Sequence, residues 1–136
     1  NIRSTDLHAK LGLLQLPNLD SAIEERNENF SLFLRKLDPE SFRTDFDVEG
    51  CSNFAFPIFT KNNNIDDIKN LLRENDVEYR PCIAGNLYEH PFMNFVEQSR
   101  FDKNANKIHN NCIYIGNHKD ITHDMITDIC DKLNRL

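Results

Sequence analysis

Tryptophan is absent, and only four glycines occur in 136 residues. The chain therefore holds no GxGxxG fingerprint and no P-loop, since each needs several glycines at fixed spacing for close backbone approach to phosphates. No CxxC pair occurs among Cys51, Cys82, Cys112 and Cys130, so the zinc and thioredoxin signatures are missing. GxSxG and HExxH are missing too. No apolar run approaches the roughly 18–20 residues of a membrane span. Basic residues are outnumbered, 16 to 22, for a net charge of −6. That balance argues against a nucleic-acid backbone as the main partner.

What remains is the composition of one globular domain. Hydrophobic residues make up 39%, with ten Phe. At this length folding hides roughly two-thirds of the surface of the unfolded chain, enough for one core. Three of the cysteines lie in apolar stretches and read as buried reduced thiols, which points to the cytoplasm. Asparagine occurs 18 times, mostly scattered, and reads as compositional bias.

Ser4-Thr5-Asp6 is a run of N-cap residues before Leu7, Leu11 and Leu14, one helical face. Gly12 is expected to be a close-packing point, and Pro17 to break or kink the helix. Leu19, Ala22, Ile23, Phe30, Phe33, Leu34 and Leu37 then follow helical spacing up to Asp38-Pro39. Residues 52–59 alternate as a strand, with Phe54, Phe56 and Ile58 expected on one face and Pro57 marking an edge. A short helix is expected from Ile65 to near Asn75, a second strand from Val77 to Ile83, and a third over Cys112–Ile115. Residues 102–110 suit a polar helical turn, and Thr122 should cap a last helix. The expected fold is α+β: a small antiparallel or mixed three-stranded sheet, helices packed on one side, and a long N-terminal helical segment.

Three clusters carry candidate chemistry. In Asn1-Ile2-Arg3 an amide and a guanidinium could face one anion; the plain alternative is a polar terminus. Arg80 lies at the end of a strand that opens into Gly85-Asn86, where backbone and side chain can approach a ligand. Gly116-Asn117-His118 repeats that form, and His118 could shuttle a proton or bind an anion. The alternatives are a surface arginine before a turn and a helix-entry loop. Their likeness suggests two loops at one edge of one sheet. His8, His90, His109 and His123 lack ligand spacing and read as structural or surface residues.

Taken together, these segments resemble the C-terminal part of the DegT/DnrJ/StrS-type enzymes. The resemblance starts with Asn1-Ile2-Arg3-Ser4-Thr5-Asp6 and Gly12-Leu13-Leu14-Gln15-Leu16, and continues through Leu19-Asp20 and Arg26. It extends over Arg80-Pro81, Gly85-Asn86 and His90-Pro91-Phe92, then over Ile108-His109 and Tyr114 through His118. Lys10 departs from the family's usual alanine. The resemblance implies a fold-type I enzyme using pyridoxal 5'-phosphate on a nucleotide-linked keto sugar, usually as a homodimer. It implies that residues 1–136 are the C-terminal small domain, with the large cofactor domain absent. Asn1 and Arg3 would contact the cofactor phosphate, and the loops holding Arg80, Asn86, Asn117 and His118 would border the sugar-nucleotide cleft.

On that resemblance, the expected function is transfer of an amino group from an amino-acid donor, with glutamate as the expected donor, to the keto sugar. The products would serve surface polysaccharide such as lipopolysaccharide O-antigen. The first alternative is a pyridoxamine-phosphate-dependent sugar 3-dehydratase. It is distinguished by a histidine in place of the cofactor lysine, upstream of these residues. The second is a stand-alone binding or interaction module. No lysine here has the family's cofactor-lysine context, so the chain by itself is expected to be inactive.

Overall fold

The computed structural model describes residues 3–93, 95 and 103–136. The chain opens with α1 (Asp6–Gln15), a 3₁₀ turn (Leu16–Asn18) and α2 (Leu19–Lys36). Thr5 stands at the N-cap, and its N–H donates to Nδ1 of His8 at 3.2 Å. His8 thus takes the place that Glu or Gln holds in a capping box. Pro17 tightens one turn and the helical path continues, because proline is tolerated in a first turn. Gly12 does not mark close packing: a Cβ there would meet nothing within 4 Å. α2 ends before Asp38-Pro39, where Asn134 clasps the terminus. Its Oδ1 accepts from the Asp38 N–H at 2.8 Å and its Nδ2 donates to the Lys36 carbonyl at 2.8 Å.

The sheet is antiparallel, in the order β1 (Ala55–Phe59), β3 (Cys112–Gly116), β2 (Tyr79–Pro81). Pro57 and Pro81 both sit in edge strands, the central strand having no proline. Pro57 faces Tyr114 and Pro81 faces Ile113. Neither proline can donate, so both must occupy non-hydrogen-bonded pairs of their ladders. The second strand is shorter than the expected Val77–Ile83, with only three residues paired. Phe54 also departs from expectation. A bend precedes β1, and Phe54 turns away from Phe56 and Ile58, 63% exposed, with its ring edge-on to Tyr114.

Among the described residues three further helices complete the fold: α3 (Ile65–Glu74), α4 (Lys103–Asn111) and α5 (His123–Leu133). Thr122 caps α5, its Oγ1 accepting from the Met125 N–H at 3.2 Å. Helices α2, α3 and α5 cover one face of the sheet. Phe30, Phe33, Ile68, Leu72, Ile126 and Leu133 meet Phe56, Ile58, Ile113 and Ile115 there. Phe33 stacks on Phe56 at 4.7 Å between centroids. The core thus takes only the C-terminal half of α2. Leu7, Leu11 and Leu14 on α1 are 69%, 53% and 64% exposed, and Leu19 at the start of α2 is exposed as well. Leu7, Leu11 and Leu14 do share one side of the helix, but Leu13 and Leu16 are exposed as well, and nothing among the described residues covers any of these leucines. No helix among the described residues is long and apolar enough to cross a membrane.

Candidate functional site

The antiparallel register decides where the two Gly-Asn loops lie. Tyr79 pairs with Ile115, and Pro81 with Ile113. The chain beyond Pro81 therefore leaves the sheet where β3 begins, while Gly116-Asn117-His118 leaves it where β3 ends. The loops occupy opposite ends of the sheet and not one edge, separated by about 13 Å of strand at roughly 3.3 Å per residue. The expectation of a shared edge suits parallel strands; antiparallel pairing reverses one of them.

At the first end, Asn86 is 2% exposed. Its Oδ1 accepts from the Tyr88 N–H at 3.1 Å, capping a 3₁₀ turn, and its Nδ2 donates to Asn106 Oδ1 at 2.9 Å. Its own N–H donates to His109 Nδ1 at 3.1 Å. His90 supports the same loop, its Nε2 lying 2.7 Å from the Ala84 carbonyl and its ring stacked on Phe92. Gly85 is required between them. Its φ is +57°, and a Cβ would stand 2.3 Å from His109 Nδ1. Gly85→Ala combines a left-handed penalty of about 1–2 kcal/mol with displacement of an imidazole, together about 2–4 kcal/mol. A fall of that size in the urea-unfolding free energy is expected; a loss under about 0.5 kcal/mol would show that the loop re-forms without this contact.

At the other end, Asn117 is likewise 2% exposed. Its Nδ2 donates to the carbonyls of Arg26 at 3.0 Å and Asn53 at 2.8 Å, and its Oδ1 faces Asn29 Nδ2 at 3.5 Å. It joins α2, the approach to β1 and the end of β3. Both amide protons are used, so this side chain has no donor left for a ligand. Two polar atoms near its partners have no hydrogen-bond partner among the described residues: the buried Nε of Arg26 and Oγ of Ser52. Helical spacing leaves Arg26 among the charged residues between the apolar positions of α2, and in the sequence only the family resemblance singles it out; its half-buried setting is a matter of tertiary packing.

Arg80 and His118 differ in kind from the asparagines. Arg80 is exposed on β2, paired to Glu78 at 2.5 Å, and is among the residues that border a cavity of about 450 Å³. Val77, Ile115, Gly116, Ile126 and Ile129 are among the lining residues. His118 is exposed too, with Nδ1 3.1 Å from Asp120 Oδ2, which leaves Nε2 to face outward. Arg3 is exposed ahead of α1, and Asn1 lies outside the described residues. Among the described residues no group of three or more His, Cys, Asp or Glu could hold a metal ion.

This geometry has known counterparts. The family model described as "DegT/DnrJ/EryC1/StrS aminotransferase family" matches residues 1–134. No curated protein sequence matches the chain. Among solved structures, the E. coli GDP-4-keto-6-deoxy-D-mannose-3-dehydratase with bound hydrated PLP is similar, with TM-score 0.81 and 23% identity. A GDP-4-keto-6-deoxymannose-3-dehydratase with a trapped PLP-glutamate geminal diamine gives TM-score 0.82 and 24% identity. Each match covers 96% of this chain but 36% of the other. The chain thus spans about a third of the length of these structures, and at such identities the likeness is one of fold.

Proposed function

The chain belongs to the DegT/DnrJ/EryC1/StrS aminotransferase family, and on that premise we propose that it is the smaller, C-terminal part of a pyridoxal-phosphate-dependent enzyme acting on a keto nucleotide-sugar. The observation that carries this reading is the family match over residues 1–134, in a chain whose leading helix presents an uncovered apolar face. Leu7, Leu11 and Leu14 are suited to packing on a large cofactor domain or on a partner subunit of a homodimer. Contiguous exposed apolar surface of this kind marks an interaction face. We place the whole enzyme in the cytoplasm, where nucleotide-sugars and amino-acid donors meet.

Arg3 has the chemistry for a cofactor phosphate: an exposed guanidinium whose paired N–H groups match two oxygens of a dianion. Asn1 is proposed as its companion. The cofactor, when bound, supplies the electron sink for the chemistry at carbon. This chain's residues then position substrate. Arg80 holds an anionic group of the sugar nucleotide, exchanging Glu78 for a ligand oxygen. His118 presents Nε2 toward the cleft, oriented by Asp120. Asn86 and Asn117 act as positioning residues, holding the loops that flank these groups.

Amino transfer from glutamate is the first reading, and the family description favours it. A 3-dehydratase is the second, favoured by the printed descriptions of both structural neighbours. The test incubates the full-length enzyme with pyridoxal phosphate, glutamate and GDP-4-keto-6-deoxymannose. Amino sugar formed with equal 2-oxoglutarate supports the transferase. Loss of the 3-hydroxyl without nitrogen in the sugar supports the dehydratase. A protein that binds no pyridoxal phosphate would refute both and leave a binding module. In either active case, Arg80→Ala should raise KM for the keto sugar about tenfold, as expected for a lost charged hydrogen bond of about 1.5 kcal/mol. An unchanged KM would remove Arg80 from the site.

A further inference from the structure

The face of the sheet turned away from the helices carries a feature that the proposed reaction does not use. Cys82 follows β2 directly, and Cys112 opens β3. Since Pro81 pairs with Ile113, the next cross-strand neighbours are Cys82 and Cys112. Their Sγ atoms lie 3.1 Å apart, both as free thiols. Adjacent antiparallel strands hold opposing Cα atoms within the range a disulfide spans. Cys112 is buried, but Cys82 is half-buried and lines an apolar recess with Phe54, Pro57, Ile83 and Tyr114. A small oxidant can reach it there.

We propose that Cys82 and Cys112 form a redox-active dithiol, which hydrogen peroxide closes to a disulfide. The Cys82 sulfur attacks one peroxide oxygen. The O–O bond breaks, leaving a sulfenic acid on Cys82 and releasing one water. The Cys112 sulfur then attacks the Cys82 sulfur. The S–O bond breaks, and a second water leaves with the Cys112 proton. Two thiols are oxidised by two electrons in all, and the peroxide is reduced. The roles follow from the environment. Cys112 hydrogen-bonded to the Cys82 sulfur holds the Cys82 thiol below its ordinary range, while the same bond and burial push Cys112 up. Cys82, the half-buried sulfur that lines the recess, is thus the attacking one, and the buried Cys112 the resolving one. The bond would tie the start of the Cys82–Asn86 loop, whose Gly85 N–H donates to the Cys82 carbonyl at 2.8 Å, covalently to β3. Cys130 is no competitor, since burial beneath α2 pushes its thiol up to about 12.

The test treats the full-length protein with hydrogen peroxide, blocks remaining thiols and maps the peptides. A Cys82–Cys112 cross-linked peptide is expected, reversed by dithiothreitol, with loss of two titratable thiols per chain. Cys112→Ser should stop Cys82 at a sulfenic acid that dimedone traps, and Cys82→Ser should leave Cys112 unreactive. Without oxidant, phenylarsine oxide should shield both thiols from alkylation in the parent protein and in neither serine variant. Thiols that stay free, bonds through Cys51 or between chains, or Cys82 oxidised past sulfenic acid with Cys112 still free would each overturn the proposal.

Discussion

Asn117→Asp should lower the unfolding free energy by about 3–5 kcal/mol at neutral pH, the cost of a buried carboxylate that faces two carbonyl oxygens. The native amide gives one proton to each of two carbonyls, at 3.0 and 2.8 Å. A carboxylate there has no proton to give and faces two oxygens. It escapes only by taking up a proton, so its folded pKa would lie above the unfolded value near 4. The sign follows from linkage. A raised folded pKa means that the neutral form's contribution is complete below the unfolded pKa and is lost as pH rises through the folded one. The deficit against the parent should therefore grow from pH 4 to pH 7. Asn117→Ala should cost about 1–3 kcal/mol with no such pH dependence, because it leaves two carbonyls unpaired but adds no charge. Urea midpoints at the two pH values measure both. If Asn117 acted through substrate instead, the alanine variant would keep its midpoint and change only KM.

Phe33→Ala is expected to cost about 3–5 kcal/mol, the range for removing a buried aromatic and leaving a cavity. Phe33 is fully buried, stacks on Phe56 at 4.7 Å, and stands where α2, α5 and β1 meet. Against total stabilities of about 5–15 kcal/mol, that loss unfolds much of a weakly stable protein. Phe54→Ala is the control: its ring is largely exposed, and the change should stay below about 1 kcal/mol. Chemical denaturation of both variants measures the difference. Equal losses would mean that the stacked pair is not the centre of the core.

These outcomes bear on what could be read before folding. Helices were legible because their apolar spacing and caps are local: Thr5, Thr122 and the Asp38-Pro39 stop lie at or next to the boundaries they set. The strands were legible from short apolar runs and the edge placement of Pro57. The asparagines were not. Their frequency suggested bias, yet Asn29, Asn86 and Asn117 are buried and Asn134 clasps a helix end. An amide's partners here lie up to 98 residues away, and no local pattern encodes them.

The sequence alone determined the α+β class, the order of elements and the family resemblance, because these depend on periodicity and on motifs within short windows. Tertiary structure decided which of the candidate residues face outward. Arg80 and His118 are exposed, whereas Asn86 and Asn117 spend their hydrogen bonds inside the fold. It also decided that the two Gly-Asn loops lie at opposite ends of the sheet and that Cys82 meets Cys112. The physical reason is common to all of these: strand direction and register are set by pairing between distant segments, and pairing alone determines which side chains become neighbours.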